Sequence, residues 1–193
     1  MTTRRRLAPD ERRRLLVETG ARLFADRAYD AVLMEDVAAA AGVSRALLYR
    51  HFPSKRELFV AVYEQATEQL LVVTELDPAL PLVGQLAAGL EAHLDYFAAN
   101  AQAVLAANKV LATDPTIQSI ITGELDELRQ RLLDVLGVNG ALRATASSIL
   151  MSWLTFVRVL TVEWLEHRTM TRDQLRDISM NALLGALGTI LPG

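Results

Sequence analysis

Apolar residues recur along this chain at the three- and four-residue spacing of amphipathic helices. No segment keeps the alternation of apolar and polar residues that a half-buried strand requires. Turn-forming residues such as Gly42, Pro53 and the 137–140 segment separate the periodic stretches. About half of the 193 residues are apolar (51%), which is enough to bury a core. We therefore predict an all-α fold of about nine helices.

Helix start and stop signals divide the chain into successive helices. Pro9 fits the first turn of a helix, Gly42 fits a left-handed helix end, and Ser44 fits a helix N-cap. Pro53-Ser54-Lys55 breaks the chain again and opens the next helix. These signals predict a first helix from Pro9, a second around Glu35 to Ala41, a third after Ser44 and a fourth from Lys55 to about Glu75. Beyond a proline-containing linker, further helices are predicted at roughly 82–99, 101–112, 116–136, 141–167 and 172–190.

Charge is distributed unevenly, although the net charge of the chain is only −3. Residues 1–56 hold 12 Arg and Lys against 7 Asp and Glu, a net of +5, and the remaining residues hold 8 against 16, a net of −8. The basic end is the electrostatic candidate for contact with phosphate. From charge alone, the alternative is an ordinary solvated terminus.

Several classes of function lack support in the sequence. There is no cysteine, which excludes disulfides, thiolate nucleophiles and sulfur-ligated zinc. His51, His93 and His167 show no metal-ligand spacing, and we find neither a nucleophile motif nor a glycine-rich phosphate loop. We therefore expect neither an enzyme nor a cofactor. The arginine-rich start does not resemble a secretory signal, and the apolar run 149–157 is short for a membrane span, so we expect a cytoplasmic protein.

The segment 36–49 has the pattern of a helix-turn-helix, in which a short turn containing glycine joins two helices. Alanines at 38–41 allow the two helices to cross closely. Val37, Val43 and Leu48 then close a small core beneath the turn.

The second helix of this unit places Arg45, Ala46, Tyr49 and Arg50 on one polar face, because successive residues are 100° apart. Such a face suits the DNA major groove, where an arginine fork reads guanine. We expect Arg45 and Arg50 to read bases, Ala46 to permit close approach, and Tyr49 to contact the backbone. Lys55, at the start of the next helix, is expected to hold a phosphate. Each residue taken alone would also fit an ordinary surface side chain.

Four segments together resemble the signature of the TetR family of bacterial repressors, over about residues 11–63. They are Tyr29-Asp30-Ala31, Asp36-Val37-Ala38, Ala41-Gly42-Val43-Ser44 and Leu48-Tyr49-Arg50-His51-Phe52-Pro53-Ser54-Lys55. The resemblance implies an all-helical fold, a three-helix DNA-binding head, and a dimer that binds a palindromic operator. It also implies DNA contacts by Ser44, Arg45, Leu47, Tyr49, His51 and Lys55.

The sequence departs from this signature at two helix ends. Ala28 stands where the family commonly has glycine, and Leu33 stands where it commonly has a Ser or Thr cap. A lost cap costs on the order of 1 kcal/mol, so we expect a weaker or shifted second helix but an unchanged DNA-facing surface.

The second half of the chain contains two helices with more apolar residues than one buried face needs. They are the run 148–160 and the last helix, with Leu175, Ile178, Leu183, Leu184, Leu187 and Ile190. Two such helices from each of two chains would form a four-helix dimer interface.

Aromatic and sparse polar side chains of this half are candidates for a small-molecule pocket. The set is His93, Tyr96, Phe97, Asn100, Asn108, Met151, Trp153, Phe156 and Arg158. The alternative for each is a packed core with satisfied polar groups. Arg158 lies among apolar residues, so it needs a carboxylate, such as that of Glu91, Asp95 or Glu163, or the anionic group of a ligand.

These observations divide the chain into a DNA-binding domain at 1–56 and a regulatory and dimerisation domain at 57–193. We predict a dimeric transcriptional repressor that a small hydrophobic or amphipathic effector releases from its operator. The fourth helix is predicted to be the only direct mechanical link between effector and head. The alternative is a helical interaction or DNA-organising protein without an effector cavity.

Overall fold

The computed structural model describes residues 8–190 and contains, within that range, nine α-helices and no strand, so the predicted fold class is confirmed. A 3-10 turn, Tyr29–Ala31, precedes the second helix, and a π turn, Ala106–Val110, continues the sixth. The helices are α1 Pro9–Asp26, α2 Met34–Ala40, α3 Arg45–His51, α4 Lys55–Val73, α5 Leu82–Ala99, α6 Ala101–Leu105, α7 Pro115–Leu136, α8 Gly140–His167 and α9 Arg172–Gly188.

We call α1, α2, α3 and the first half of α4 the head. Local signals explain where its helices begin and end. The Ser44 and Ser54 hydroxyls each accept a main-chain N–H three residues ahead, at 3.2 Å, and so cap α3 and α4. Gly42 adopts φ +66° in the turn between α2 and α3. Leu33 precedes α2 without any side-chain cap, as its departure from the family signature implies.

A first hydrophobic core holds α1, α2, α3 and the first half of α4 together. Leu16, Phe24, Val37, Leu48 and Phe59 are all essentially inaccessible to solvent in it. The same core continues into the second half of the chain through five small or aliphatic residues. They are Ala103 of α6, Ala106 and Ala107 of the π turn, and Ile117 and Ile121 of α7.

A polar contact adds to this connection between head and second half. Arg56, in the first turn of α4, forms an ion pair with Asp114 and donates to the Thr116 hydroxyl at 2.9 Å. Asp114 is the N-cap of α7, and its hydrogen bond with Arg56 lowers the pKa of its carboxyl. The prediction that α4 is the only mechanical link is therefore wrong. It failed because α6, the π turn and α7 also pack on the head.

A second core lies among α5, α7, α8 and α9, with the end of α4 against it. By length and composition α8 could span a membrane, with 39% of its most apolar 18-residue window buried. Here α8 packs between α7 and α9 and carries a charged side chain, Arg158, that is only 5% exposed. This is the arrangement of a core helix in a helical bundle.

The exposed face formed by α8 and α9 differs from the predicted one. Leu183 and Leu187 are buried within the single chain, because α9 turns them toward the core. Ile178 and Leu184 are the large apolar residues that α9 exposes. Phe156 and Val159 lie on the exposed side of α8, and the open groove between the two helices is lined largely by Ser148, Ser152, Ala182 and Ala186.

Candidate DNA-binding helix and effector cavity

The helix α3 is fixed in the head by Leu48, which is fully buried, and by the tight turn before it. In that turn the Val43 N–H donates to the Ala38 carbonyl at 3.0 Å. The opposite face presents Arg45, Ala46, Tyr49 and Arg50 to solvent, so the structure brings together the four residues that helical spacing had grouped.

Arg45 is already paired, because its guanidinium contacts the Glu35 carboxylate of α2. Both side chains are largely exposed, 65% and 43%, and exposed pairs contribute only about 0–1 kcal/mol. Arg45 can therefore leave Glu35 for a base edge at small cost.

Ser44, Leu47 and His51 complete the predicted contact set around α3. The Ser44 oxygen accepts the Leu47 N–H, and its own hydroxyl proton is still available to a phosphate. Leu47 and His51 are half-buried. Burial, followed by the nearby charges of Arg50, Arg12 and Arg13, lowers the pKa of His51 below its usual value of 6.5, so its ring is neutral at pH 7.

Lys55 contacts Tyr29 within the head. Its ammonium donates to the Tyr29 carbonyl at 2.9 Å and lies 4.5 Å from the centre of the Tyr29 ring. It thus ties the 3-10 turn to the start of α4. The predicted phosphate contact remains a prediction, and it requires the ammonium to share or exchange this bond.

Between α5, α7 and α8 lies a cavity of about 50 Å³, which we call the leucine cavity. Its lining is Thr74, Leu76, Leu86, Gly89, Leu90, His93, Leu125, Leu128, Arg131, Leu132, Trp153, Leu154 and Val157. Two residues of the predicted pocket, His93 and Trp153, line it. Leu76, Gly89 and Arg131 had not been singled out in the sequence.

The other predicted pocket residues do not line this cavity. The Tyr96 hydroxyl donates to the Ala66 carbonyl at 2.8 Å, and the Asn100 amide donates to the Tyr96 carbonyl at 2.9 Å. Met151 is half-buried elsewhere on α8, and Phe156 is 40% exposed on its outer side. The structure does not bring them to this cavity, because main-chain acceptors satisfy Tyr96 and Asn100 and α8 turns Phe156 outward. Their contact with an effector stays a prediction.

Phe97 and Asn108 instead surround Arg158. The guanidinium pairs with Glu124 of α7 at 2.5 Å and donates to the Tyr63 hydroxyl and the Asn108 amide oxygen, both at 3.3 Å. The Phe97 ring lies 5.4 Å away. Arg158 and Glu124 are 6% and 2% exposed, so this polar cluster is a buried tie between α4, α7 and α8.

Arg158 pairs with a carboxylate, as expected, but this carboxylate is that of Glu124 and none of the three named from the sequence. Glu91 and Asp95 bind Arg172 of α9, and Glu163 binds Lys109 of the π turn. All three face neighbours other than Arg158. Neither Glu124 nor Tyr63 had been considered.

His93 is the buried polar group at the leucine cavity. Its ring is 8% exposed and stacks 4.1 Å from Phe97, and Nε2 has no hydrogen-bond partner among the described residues. Burial, assisted by the charge of Arg158, lowers the pKa of His93 to about 3. The ring is therefore neutral at pH 7, with one nitrogen available for a hydrogen bond.

The helices α2 and α3 thus form a helix-turn-helix of the DNA-binding kind, in which the polar face of α3 is exposed. Residues 16–62 match the family model described as "Bacterial regulatory proteins, tetR family". This match covers the helix-turn-helix head, so in that segment the chain is similar to bacterial transcriptional regulators of this family. It is 27% identical over 190 residues to the HTH-type transcriptional activator FasR of Mycolicibacterium smegmatis, covering 96% of this chain and 87% of that protein.

Solved structures of other proteins share the fold over nearly the whole chain. A tetR-family transcriptional regulator from Streptomyces coelicolor superposes with a TM-score of 0.84 at 22% identity, covering 95% of this chain and 83% of that one. The fatty acid degradation regulator FadR from Bacillus halodurans gives a TM-score of 0.70 at 14% identity, covering 93% and 97%.

Proposed function

We propose that the protein is a cytoplasmic homodimer that represses transcription from a palindromic operator and is released by a small apolar or amphipathic effector. The observation that carries the proposal is the exposed face of α3, with Arg45, Tyr49 and Arg50 on a basic head. One such helix buries too little surface for tight specific binding, so two heads must act together.

The exposed face of α8 and α9 supports the dimer. Phe156, Val159, Ile178 and Leu184 are each between 37% and 57% exposed, which leaves four large apolar side chains in contact with water. The groove between α8 and α9 has four small residues in its lining, beside Ile149, Trp153 and Phe156, and small residues allow helices to approach closely. A second copy of the chain would cover this face as a four-helix interface.

The leucine cavity supports an effector that is mainly apolar. Its walls are mostly leucine, and a ligand with one polar group would find the free nitrogen of His93. Small-molecule sites usually measure about 300–1,000 Å³, far more than the 50 Å³ here. The effector must therefore bind a rearranged state, and this unequal affinity for two states is what shifts an equilibrium.

Two helices connect that cavity to the head. Leu125 and Leu128 of α7 line the cavity, and the N-cap of the same helix, Asp114, holds Arg56 of α4. A displacement of α7 or α4 would change how the head is held and hence the separation of two heads in a dimer. Coupling of this kind is typically worth about 1–3 kcal/mol.

Activation is the second candidate for the sign of regulation, because the relative at 27% identity is named a transcriptional activator. A reporter gene behind the bound promoter distinguishes the two. Deletion of the regulator raises expression if it represses and lowers expression if it activates.

Operator binding is tested by selecting DNA from a random pool and mapping the protected bases. We expect a symmetric site and a loss of about 1–3 kcal/mol per half-site for Arg45→Ala, with relaxed preference at one base position. Arg143→Ala is the matched control. Arg143 lies at the start of α8, away from α3, and forms an ion pair with Asp134 of α7. Equal affinity and equal preference in both variants would contradict the assignment of Arg45.

A further inference from the structure

Leu76 occupies an unusual place in the linker between α4 and α5. The structure describes the whole run 75–83. In it Leu76 alone is half-buried, and all the remaining residues are exposed. Its side chain forms part of the wall of the leucine cavity. Leu76 and Thr74, the C-cap of α4, are therefore the residues between α4 and α5 that reach a cavity otherwise walled mainly by α5, α7 and α8.

Gly89 of α5 provides the seat for this side chain. A Cβ atom at position 89 would lie 3.0 Å from Cδ2 of Leu76, closer than side chains normally approach. Glycine inside a helix costs roughly 1 kcal/mol relative to alanine. Gly89 carries this cost in stability, and its missing side chain leaves the space that Leu76 occupies.

The hydrogen bonds of the linker lie on either side of Leu76: the Glu75 N–H donates to the Val72 carbonyl at 3.3 Å before it, and the others follow it. The Leu80 and Ala79 N–H groups bond to the Asp77 carbonyl and carboxylate, and the Gln85 amide bonds to the Leu80 carbonyl. The bonds that follow Leu76 all lie within the segment 77–85, so Leu76 can leave its seat without breaking any of them. The other leucines of the wall belong to helices, and moving them would disturb a helix or its packing.

From this geometry we infer that Leu76 is a removable plug of the leucine cavity, and that apolar ligands enter through the linker between α4 and α5. The inference rests on the proposed effector function and identifies the residue that sets the size of the site. With Leu76 seated, about 50 Å³ is available. An apolar cavity known to bind benzene measures about 150 Å³, three times this volume, so ligands of that size or longer bind here only when the plug leaves.

Fluorobenzene followed by ¹⁹F NMR tests the plug directly. We expect Leu76→Ala to raise the bound fraction at least about fivefold over the parent, because it removes the branched end that fills the cavity mouth. Leu80→Ala is the matched control, since Leu80 lies in the same linker and is exposed outside the cavity. It should bind fluorobenzene as the parent does.

A reversible cross-link tests the entry route. The chain contains no cysteine, so Leu76→Cys together with Gly89→Cys creates the only thiol pair. Reduced protein should exchange fluorobenzene as Leu76→Ala does, and oxidation should slow exchange at least about tenfold by fixing the linker on α5. Dithiothreitol should restore it.

Equal binding by Leu76→Ala, Leu80→Ala and the parent, including no binding by any of them, overturns the plug. Unchanged exchange in the protein whose bridge is verified by mass overturns the entry route. Operator release is measured separately on Leu76→Ala with a panel of apolar compounds. Binding without any release from DNA leaves the plug standing and refutes the effector function.

Discussion

Separating Arg158 from Glu124 is the sharpest test of the buried cluster, because the pair is almost inaccessible to water. Replacing either residue by Met leaves one unpaired charge in the core. Such a change typically costs about 3–5 kcal/mol of unfolding free energy. For a chain of this length, that corresponds to a fall in Tm of roughly 6–20 °C.

The double variant, with Met at both 158 and 124, should recover most of this loss. Replacing a buried pair by apolar residues is often neutral or stabilising by about 1–4 kcal/mol. Against that, the buried Tyr63 hydroxyl loses its hydrogen bond with Arg158 and keeps the one with Asn108, which costs about 1 kcal/mol. We therefore expect the double variant within about 2 kcal/mol of the parent and a coupling energy of about 4 kcal/mol or more.

The assay is urea unfolding followed by circular dichroism at one fixed protein concentration, because dimerisation would add to the measured stability. Arg143→Met is the control, and loss of its exposed pair with Asp134 should change stability by less than about 1 kcal/mol. If the losses of the two single variants simply add in the double variant, the pair does not interact and the cluster is not a tie between α7 and α8.

Three further predictions concern pH, salt and assembly. His93 is neutral when folded, with a pKa of about 3 against 6.5 when unfolded, so the unfolded state binds the extra proton as pH falls below 6.5. The parent should lose about 2 kcal/mol of stability between pH 7.5 and pH 5 that His93→Leu does not lose, and equal losses in urea titrations would contradict the assignment. Lys55→Ala should flatten the slope of log K against log salt by roughly 1.8 for a dimer that loses two phosphate contacts, and an unchanged slope would remove Lys55 from the interface. Leu184→Glu should yield folded monomers in sedimentation, whereas Leu183→Ala, in the core, should mainly lower stability by about 2–5 kcal/mol; a Leu184→Glu dimer would place the interface elsewhere.

The spacing of apolar residues in the sequence already indicated that Glu124, the carboxylate that pairs with Arg158, is buried. Ile117, Ile121, Glu124, Leu128 and Leu132 follow one another at spacings of three and four, and all are buried in α7. A glutamate on such a stripe must meet a cation inside the protein. The spacing thus marked Glu124 as a buried charge, but it did not show which helix would supply its partner.

The local sequence was sufficient to place the helices and the polar face of α3. Caps at Ser44 and Ser54, Gly42 in the turn, and the 100° step between residues act over a few positions, so the neighbouring residues largely decide them. The family signature lies in this same local segment, which is why the head and its exposed residues could be described from the sequence.

Only the tertiary structure decided which distant side chains meet. Arg158 pairs with Glu124 rather than Glu91, and Phe156 faces outward while Trp153 lines a cavity, because these outcomes depend on which helices are neighbours and at what angle. The contact between Leu76 and Gly89 likewise exists only once the linker folds back on α5. Helix periodicity determines which face is buried; the packing of whole helices determines what that face touches.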